Sequence, residues 1–194
     1  MKIMKAVISF TVILTVLLIG SAICKAEAED EDEDEDDPRT TTVCGISVTR
    51  LATYQEHIMP YVPMIHTTLQ NFNVDKQFIW LAMMESGGSV VAVSKRGAVG
   101  LWQLTAPTSR HNGCPSDQRT DPKCSTMAAA RYLSKLLTKF NNNIWDAIVG
   151  YNMGGSNYKR IGKPTSEARH LANTVTCLMQ EMPLETWVKT DGEP

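Results

Sequence analysis

Phe78-Ile79-Trp80-Leu81-Ala82-Met83-Met84-Glu85-Ser86-Gly87-Gly88 is the stretch on which the fold turns. If residues 75–85 are helical, Phe78, Leu81, Ala82 and Glu85 fall at i, i+3, i+4 and i+7, one face of a helix. That spacing puts a carboxylate at the end of an apolar stripe. A carboxyl group in apolar surroundings resists ionisation, so its pKa rises and it can donate a proton near neutral pH. The glycines at 87 and 88 leave room for a ligand to approach the backbone. Taken alone, Glu85 also fits a plainer reading, a helix-end carboxylate turned out into solvent, because glutamate is rarely buried without a partner.

Two downstream segments favour the chemical reading. One is Ser94 followed by Gly97-Ala98-Val99-Gly100-Leu101-Trp102-Gln103-Leu104; the other is Ala147-Ile148-Val149-Gly150-Tyr151-Asn152-Met153-Gly154-Gly155. With Glu85-Ser86-Gly87-Gly88 they resemble, in order and spacing, the three signature blocks of the soluble lytic transglycosylase family. The resemblance covers roughly residues 74–155. It implies a mainly α, lysozyme-like (α+β) fold, and the Gly, Pro and Ser gathered after Glu85 read as an irregular or short β-hairpin segment around 88–104. Trp102 stands where that family more often has Met, Met153 where it has Ala, and Gly155 where it often has Pro. Gly150 stands where it has Ala, a change that costs about 1 kcal/mol in a helix interior.

Outward from these blocks, the chain of 194 residues is 43% hydrophobic, enough for one domain with a core. Lys2 and Lys5 precede an apolar run from Ala6 to Ile23, and Ala26 and Ala28 come next in an A-x-A arrangement. Residues 1–28 therefore read as a secretory signal peptide, with an uncleaved membrane anchor as the competing reading. Cys24 does not complete a lipoprotein signal, since Ile23 stands where a small residue is needed. Glu29 to Asp37 is an unbroken acidic run closed by Pro38, and residues 29–42 read as a disordered linker. The domain is expected over 43–185, with a tail at 186–194. Residues 38–194 carry 16 Lys and Arg against 11 Asp and Glu, a net of +5, although the whole chain is at −2. A mildly basic domain suits an anionic polymer such as peptidoglycan; nucleic acid is not an expected partner.

Cys44, Cys114, Cys124 and Cys177 remain after the signal, an even number that implies two disulfides in an exported chain. Cys114 and Cys124 bracket a short loop rich in Pro and Asp, which pairs them and leaves Cys44 with Cys177. No C-x-x-C occurs and the four histidines lack ligand spacing, so neither metal nor cofactor is expected. Pro60 and Pro63 should split a helix over 51–70. Asp75 caps the Glu85 helix; further helices are expected over 127–140, 144–152 and 165–182.

A glycosidase usually needs two carboxylates. Asp117, Asp121 and Asp146 are the nearest candidates downstream in the chain, and their turn or cap contexts make them structural. The resemblance supplies a mechanism with one. Glu85 protonates the oxygen between MurNAc and GlcNAc, the N-acetyl group assists at C1, and the same Glu deprotonates the C6 hydroxyl to leave a 1,6-anhydro end. It also implies that Ser86 supports the site by hydrogen bonding, Gln103 lines the glycan cleft, Tyr151 sits beside the acid and Asn152 contacts substrate or shapes the loop. Without it, Ser86 is a back-bonded helix residue, Gln103 a surface amide, Tyr151 a core tyrosine bonded to a carbonyl, and Trp102 a core residue.

The reading is a secreted or periplasmic peptidoglycan lytic transglycosylase. The small domain also resembles the specialised members that open the wall for secretion, conjugation or pilus machines. The alternatives are a goose-type-like muramidase that uses water in place of the C6 hydroxyl, and a catalytically silent glycan-binding module.

Overall fold

The computed structural model describes residues 41–182 and residue 184. The signal segment, the acidic run and the tail 186–194 lie outside them. Everything described belongs to one of the chain's two units, 38–194.

The order is β1 (Thr42–Val43), β2 (Ile46–Ser47), α1 (Val48–Ile58), α2 (Val62–Asn71), α3 (Ile79–Ser86), α4 (Ala106–His111), α5 (Pro122–Lys139), α6 (Ile144–Met153), α7 (Gly155–Ile161) and α8 (Ser166–Glu181). Among the described residues the one sheet is the β1–β2 hairpin, with Val43 opposite Ile46. Its two-residue turn, Cys44-Gly45, has positive φ at both positions, the geometry that matches strand twist. The segment 88–104, where a hairpin was one expectation, is instead a loop with two single bridges, Val93 to Val99 and Val99 to Leu104.

Pro60 and Pro63 divide the first long helical segment as their missing N–H groups require. A single 3-10 turn separates α1 from α2. Pro60 sits at the start of that turn, and Pro63 in the first turn of α2. Asp75 caps not the Glu85 helix itself but a 3-10 turn ahead of it, its Oδ1 accepting from the Gln77 N–H at 2.8 Å. α3 then lies between α1, α2 and α8. It is buried all round rather than along a stripe: Ile79, Trp80, Leu81, Ala82 and Met83 are all inaccessible. α5 begins five residues before the expected start, because Asp121 acts as its N-cap and Pro122 occupies the first turn. α6 packs on α5, α7 and α8.

Cys44 is bonded to Cys177 of α8, and Cys114 to Cys124 of α5. The first bond ties the hairpin, and through the Ser47 cap the start of α1, to the last helix. Gly150 has a packing role that its helix-propensity cost did not show. A Cβ there would come within 2.7 Å of Phe140 Cε2 and 3.1 Å of Leu136 Cδ2, so its absence lets α5 close on α6. Gly150→Ala should therefore lower the melting temperature: overpacking of about 1–3 kcal/mol outweighs a propensity gain of about 1 kcal/mol. A variant that melts higher than wild type would contradict this packing.

Candidate active site

Glu85 occupies the last turn of α3, and the helix stops there because Gly87 turns left-handed (φ 60°) and returns its N–H to the Met83 carbonyl at 2.8 Å. The buried body of α3 fixes the carboxyl group from below, while the open end meets a cleft. Met84, Glu85 and Ser86 form its floor at the end of α3, and Tyr54 and His57 of α1 and Ala92, Val93, Ser94 and Gln103 of the following loop line it as well.

Burial raises the Glu85 carboxyl from 4.5 to about 8, and the negative charge of Glu167 pushes it the same way. The carbonyl end of its own helix acts in the same direction. Glu85 therefore holds its proton at neutral pH and can give it up in the cleft.

The loop wall is held by backbone carbonyls. Gln103 sits at a positive φ of 44° and donates from Nε2 to the carbonyls of Ala92 (3.1 Å) and Gly100 (2.9 Å). It thus lines the cleft with its amide donors already committed to the loop's shape. Arg119 fastens the same loop from outside: Nη1 donates to the carbonyls of Gly97 (2.8 Å) and Leu104 (3.0 Å), and Nε to that of Ser116 (2.7 Å). The Cys114–Cys124 bond closes the segment that carries Arg119.

Ser86 lines the cleft and back-bonds the Ala82 carbonyl at 3.0 Å, the local bond expected of it without the resemblance. Tyr151 is buried behind Glu85. Its hydroxyl donates to the Trp102 carbonyl at 2.6 Å, and its ring leans on Tyr132. Burial, then the charge of Glu85, drives its pKa well above the usual range, so it stays a neutral donor. Trp102 is wholly in the core, with Nε1 donating to Thr126 Oγ1 at 2.9 Å. Asn152 reaches toward α8, where Nδ2 lies 3.5 Å from Glu167 Oε1. Of the acidic residues set aside as structural, Asp121 caps α5 and Asp146 accepts from the Tyr158 hydroxyl at 2.6 Å.

Three features escaped the sequence. Glu167, in the first turn of α8, is a second carboxylate whose field reaches Glu85; Arg96 from the loop pairs with it at 3.2 Å. Its only sequence signal is an acidic residue after the Thr165 cap, which reads equally well as a dipole partner. Tyr54 and His57 also went unread, because α1 meets α3 only in three dimensions. The third is a correction. The room left by Gly87 and Gly88 is occupied by α1: a Cβ on Gly87 would lie 2.8 Å from Tyr54 Cε1, and one on Gly88 would lie 2.8 Å from His57 Cβ and 2.9 Å from the Tyr54 carbonyl oxygen. The glycines admit a helix, not a ligand.

Glu167→Gln should let Glu85 ionise more easily. With the like charge gone, the midpoint of Glu85 falls, and a fall of half a pH unit means about threefold less protonated acid above the midpoint. Carbon NMR of the labelled Glu85 carboxyl reads this directly, and an unmoved titration would show that the two groups are not coupled.

The chain matches the family model of the transglycosylase SLT domain over residues 63–172, more than half its length. It is 34% identical over 93 residues to the peptidoglycan transglycosylase gp16 of Escherichia phage T7, covering 45% of this chain and 7% of that protein. It is 30% identical over 110 residues to the membrane-bound lytic murein transglycosylase F of Photobacterium profundum, covering 54% of this chain and 21% of that one. With the membrane-bound lytic murein transglycosylase D of Escherichia coli the identity is 28% over 114 residues, 57% of this chain and 25% of the relative. The chain thus spans a quarter or less of the length of these three relatives. In structure it is similar to the 70 kDa soluble lytic transglycosylase of Escherichia coli, with a TM-score of 0.57 and 21% identity over 64% of this chain and 24% of that one. That likeness shows the fold, mainly helical and lysozyme-like.

Proposed function

Because the chain belongs to the transglycosylase SLT domain family, we propose that it is a peptidoglycan lytic transglycosylase acting outside the cytoplasm, with Glu85 as its single acid and base. The observation that carries this reading is a carboxyl group that keeps its proton up to about pH 8 on the floor of an open cleft. In the proposed reaction Glu85 gives that proton to the oxygen between MurNAc and GlcNAc as the C1–O bond breaks. The N-acetyl oxygen of MurNAc shields C1. The carboxylate then removes the proton of the C6 hydroxyl, whose oxygen closes on C1 as a 1,6-anhydro ring, and Glu85 is protonated again. Such acid–base work contributes on the order of 10²–10⁴-fold. Tyr151, neutral and anchored on the Trp102 carbonyl, keeps the space behind Glu85 free of charge; Ser86 and Gln103 shape the floor and the loop wall. The two disulfides support the location, since they persist in oxidising compartments.

One observation favours a hydrolytic outcome: Glu167 supplies the second carboxylate that a water-activating enzyme needs. Its two oxygens are already engaged by Arg96 and Asn152 rather than turned to a water, which makes ring closure the better reading. Mass spectrometry of digested sacculi decides. Anhydro ends are expected; reducing ends would transfer the base role to an activated water, and intact strands would leave a glycan-binding module.

A further inference from the structure

We propose that Tyr54 and His57 of α1 form a saccharide-binding subsite beside Glu85, which holds the N-acetylhexosamine next to the bond being cleaved. The inference rests on the glycan-cleaving reading above but on residues outside the family match, which begins at residue 63. α1 is not a loose flank. Its N-terminus is capped by Ser47, and the hairpin before it is bonded to α8 through Cys44–Cys177. It lies so close to the end of α3 that neither Gly87 nor Gly88 could carry a side chain beneath it. The Tyr54 ring therefore rests on the backbone two residues beyond the acid.

His57 is exposed, with Nδ1 3.0 Å from the Gly87 carbonyl oxygen. A carbonyl only accepts, so Nδ1 carries the hydrogen, and in the neutral ring Nε2 becomes an acceptor for a ligand's O–H or N–H. Ala92 and Val93 line the same cleft, the valine 68% exposed. An aromatic ring and methyl groups lining one cleft, with an acceptor at its edge, match a pyranose: apolar C–H faces and a polar edge of hydroxyl and acetamido groups. Because α1 is fixed before ligand arrives, the wall is preorganised and little ordering cost remains on binding.

The test uses substitutions that separate the two ring nitrogens. His57→Asn retains a donor for the Gly87 carbonyl and loses Nε2; His57→Gln retains a polar group near Nε2 and loses the Gly87 bond; Tyr54→Leu keeps bulk and loses the ring. In a Glu85→Gln background, chitohexaose binding is measured by calorimetry. His57→Asn and Tyr54→Leu should each weaken it at least fivefold in domains that remain folded at the assay temperature by circular dichroism, and His57→Gln less. With Glu85 restored, the first two should raise KM on sacculi and leave kcat within twofold. Unchanged affinity in both variants, a parent that does not bind chitohexaose, or a fall in kcat at constant KM would overturn the subsite; the last would leave His57 a mere brace for Gly87. If the wild-type protein, with Glu85 intact, leaves sacculi uncut while chitohexaose binding still depends on both residues, the transglycosylase reading fails and the subsite stands.

Discussion

Glu85→Gln is expected to stop turnover while making the folded domain more stable at neutral and alkaline pH. The first effect stems from the proposed acid–base role, worth on the order of 10²–10⁴-fold. The second stems from linkage. The carboxyl titrates near 4.5 when unfolded and near 8 when folded. Below pH 4.5 both states hold the proton and the native state bears no penalty from it. Between 4.5 and 8 the unfolded chain gains by ionising while the folded one stays neutral. Stability is therefore lost as pH rises, on the order of 3 kcal/mol by pH 7. A glutamine does not titrate, so the variant should keep what the wild type loses. Melting temperatures at pH 5 and pH 8 give the check: the advantage of the variant should widen with pH. A variant that cuts sacculi at more than a few per cent of the wild-type rate would end the single-acid mechanism, and an advantage independent of pH would mean that Glu85 is ionised in the folded protein.

The second large effect belongs to Gly100→Ala. Gly100 has φ 81°, and a Cβ there would overlap the carbonyl oxygen of Arg119, a backbone atom that no rotamer change can remove. The variant bears the strain of a left-handed side chain, about 1–2 kcal/mol, and the collision, about 1–3 kcal/mol more. Together these should cost the domain roughly 10 °C of melting temperature and displace the loop wall from Glu85. Gly97→Ala is the control: φ is 76°, but nothing lies within 4 Å of the added atom, so only the conformational cost remains. Equal melting temperatures for the two variants would show that the loop is not pressed against Arg119.

The features legible in the sequence were the local ones. The three blocks located Glu85, the loop and Tyr151, because each is a run of residues within one element. The cysteines paired as their positions in the chain suggested. α4 and α7 were missed because elements of six and seven residues are too short to show a period. Gly87 and Gly88 were misjudged for another reason. A missing Cβ looks the same in sequence whether the space is empty or filled, and here α1 fills it. Glu167 and His57 act on the cleft from elements far away in the chain, and no pattern within Thr165–Met182 or Leu51–Gln70 points toward Glu85.

The fastening of the cleft loop has a consequence for how this protein can be altered. Arg119 and Gln103 grip the segment by the carbonyls of Ala92, Gly97, Gly100 and Leu104, and none of these bonds uses a side chain of residues 89–93. Conformation and identity are therefore separable there. Val91 and Val93, both projecting from the loop, can be exchanged for other side chains while the backbone path stays as it is. The loop is thus a natural cassette: a library at residue 93, which lines the cleft, would vary what the cleft accepts without asking the domain to refold around each member.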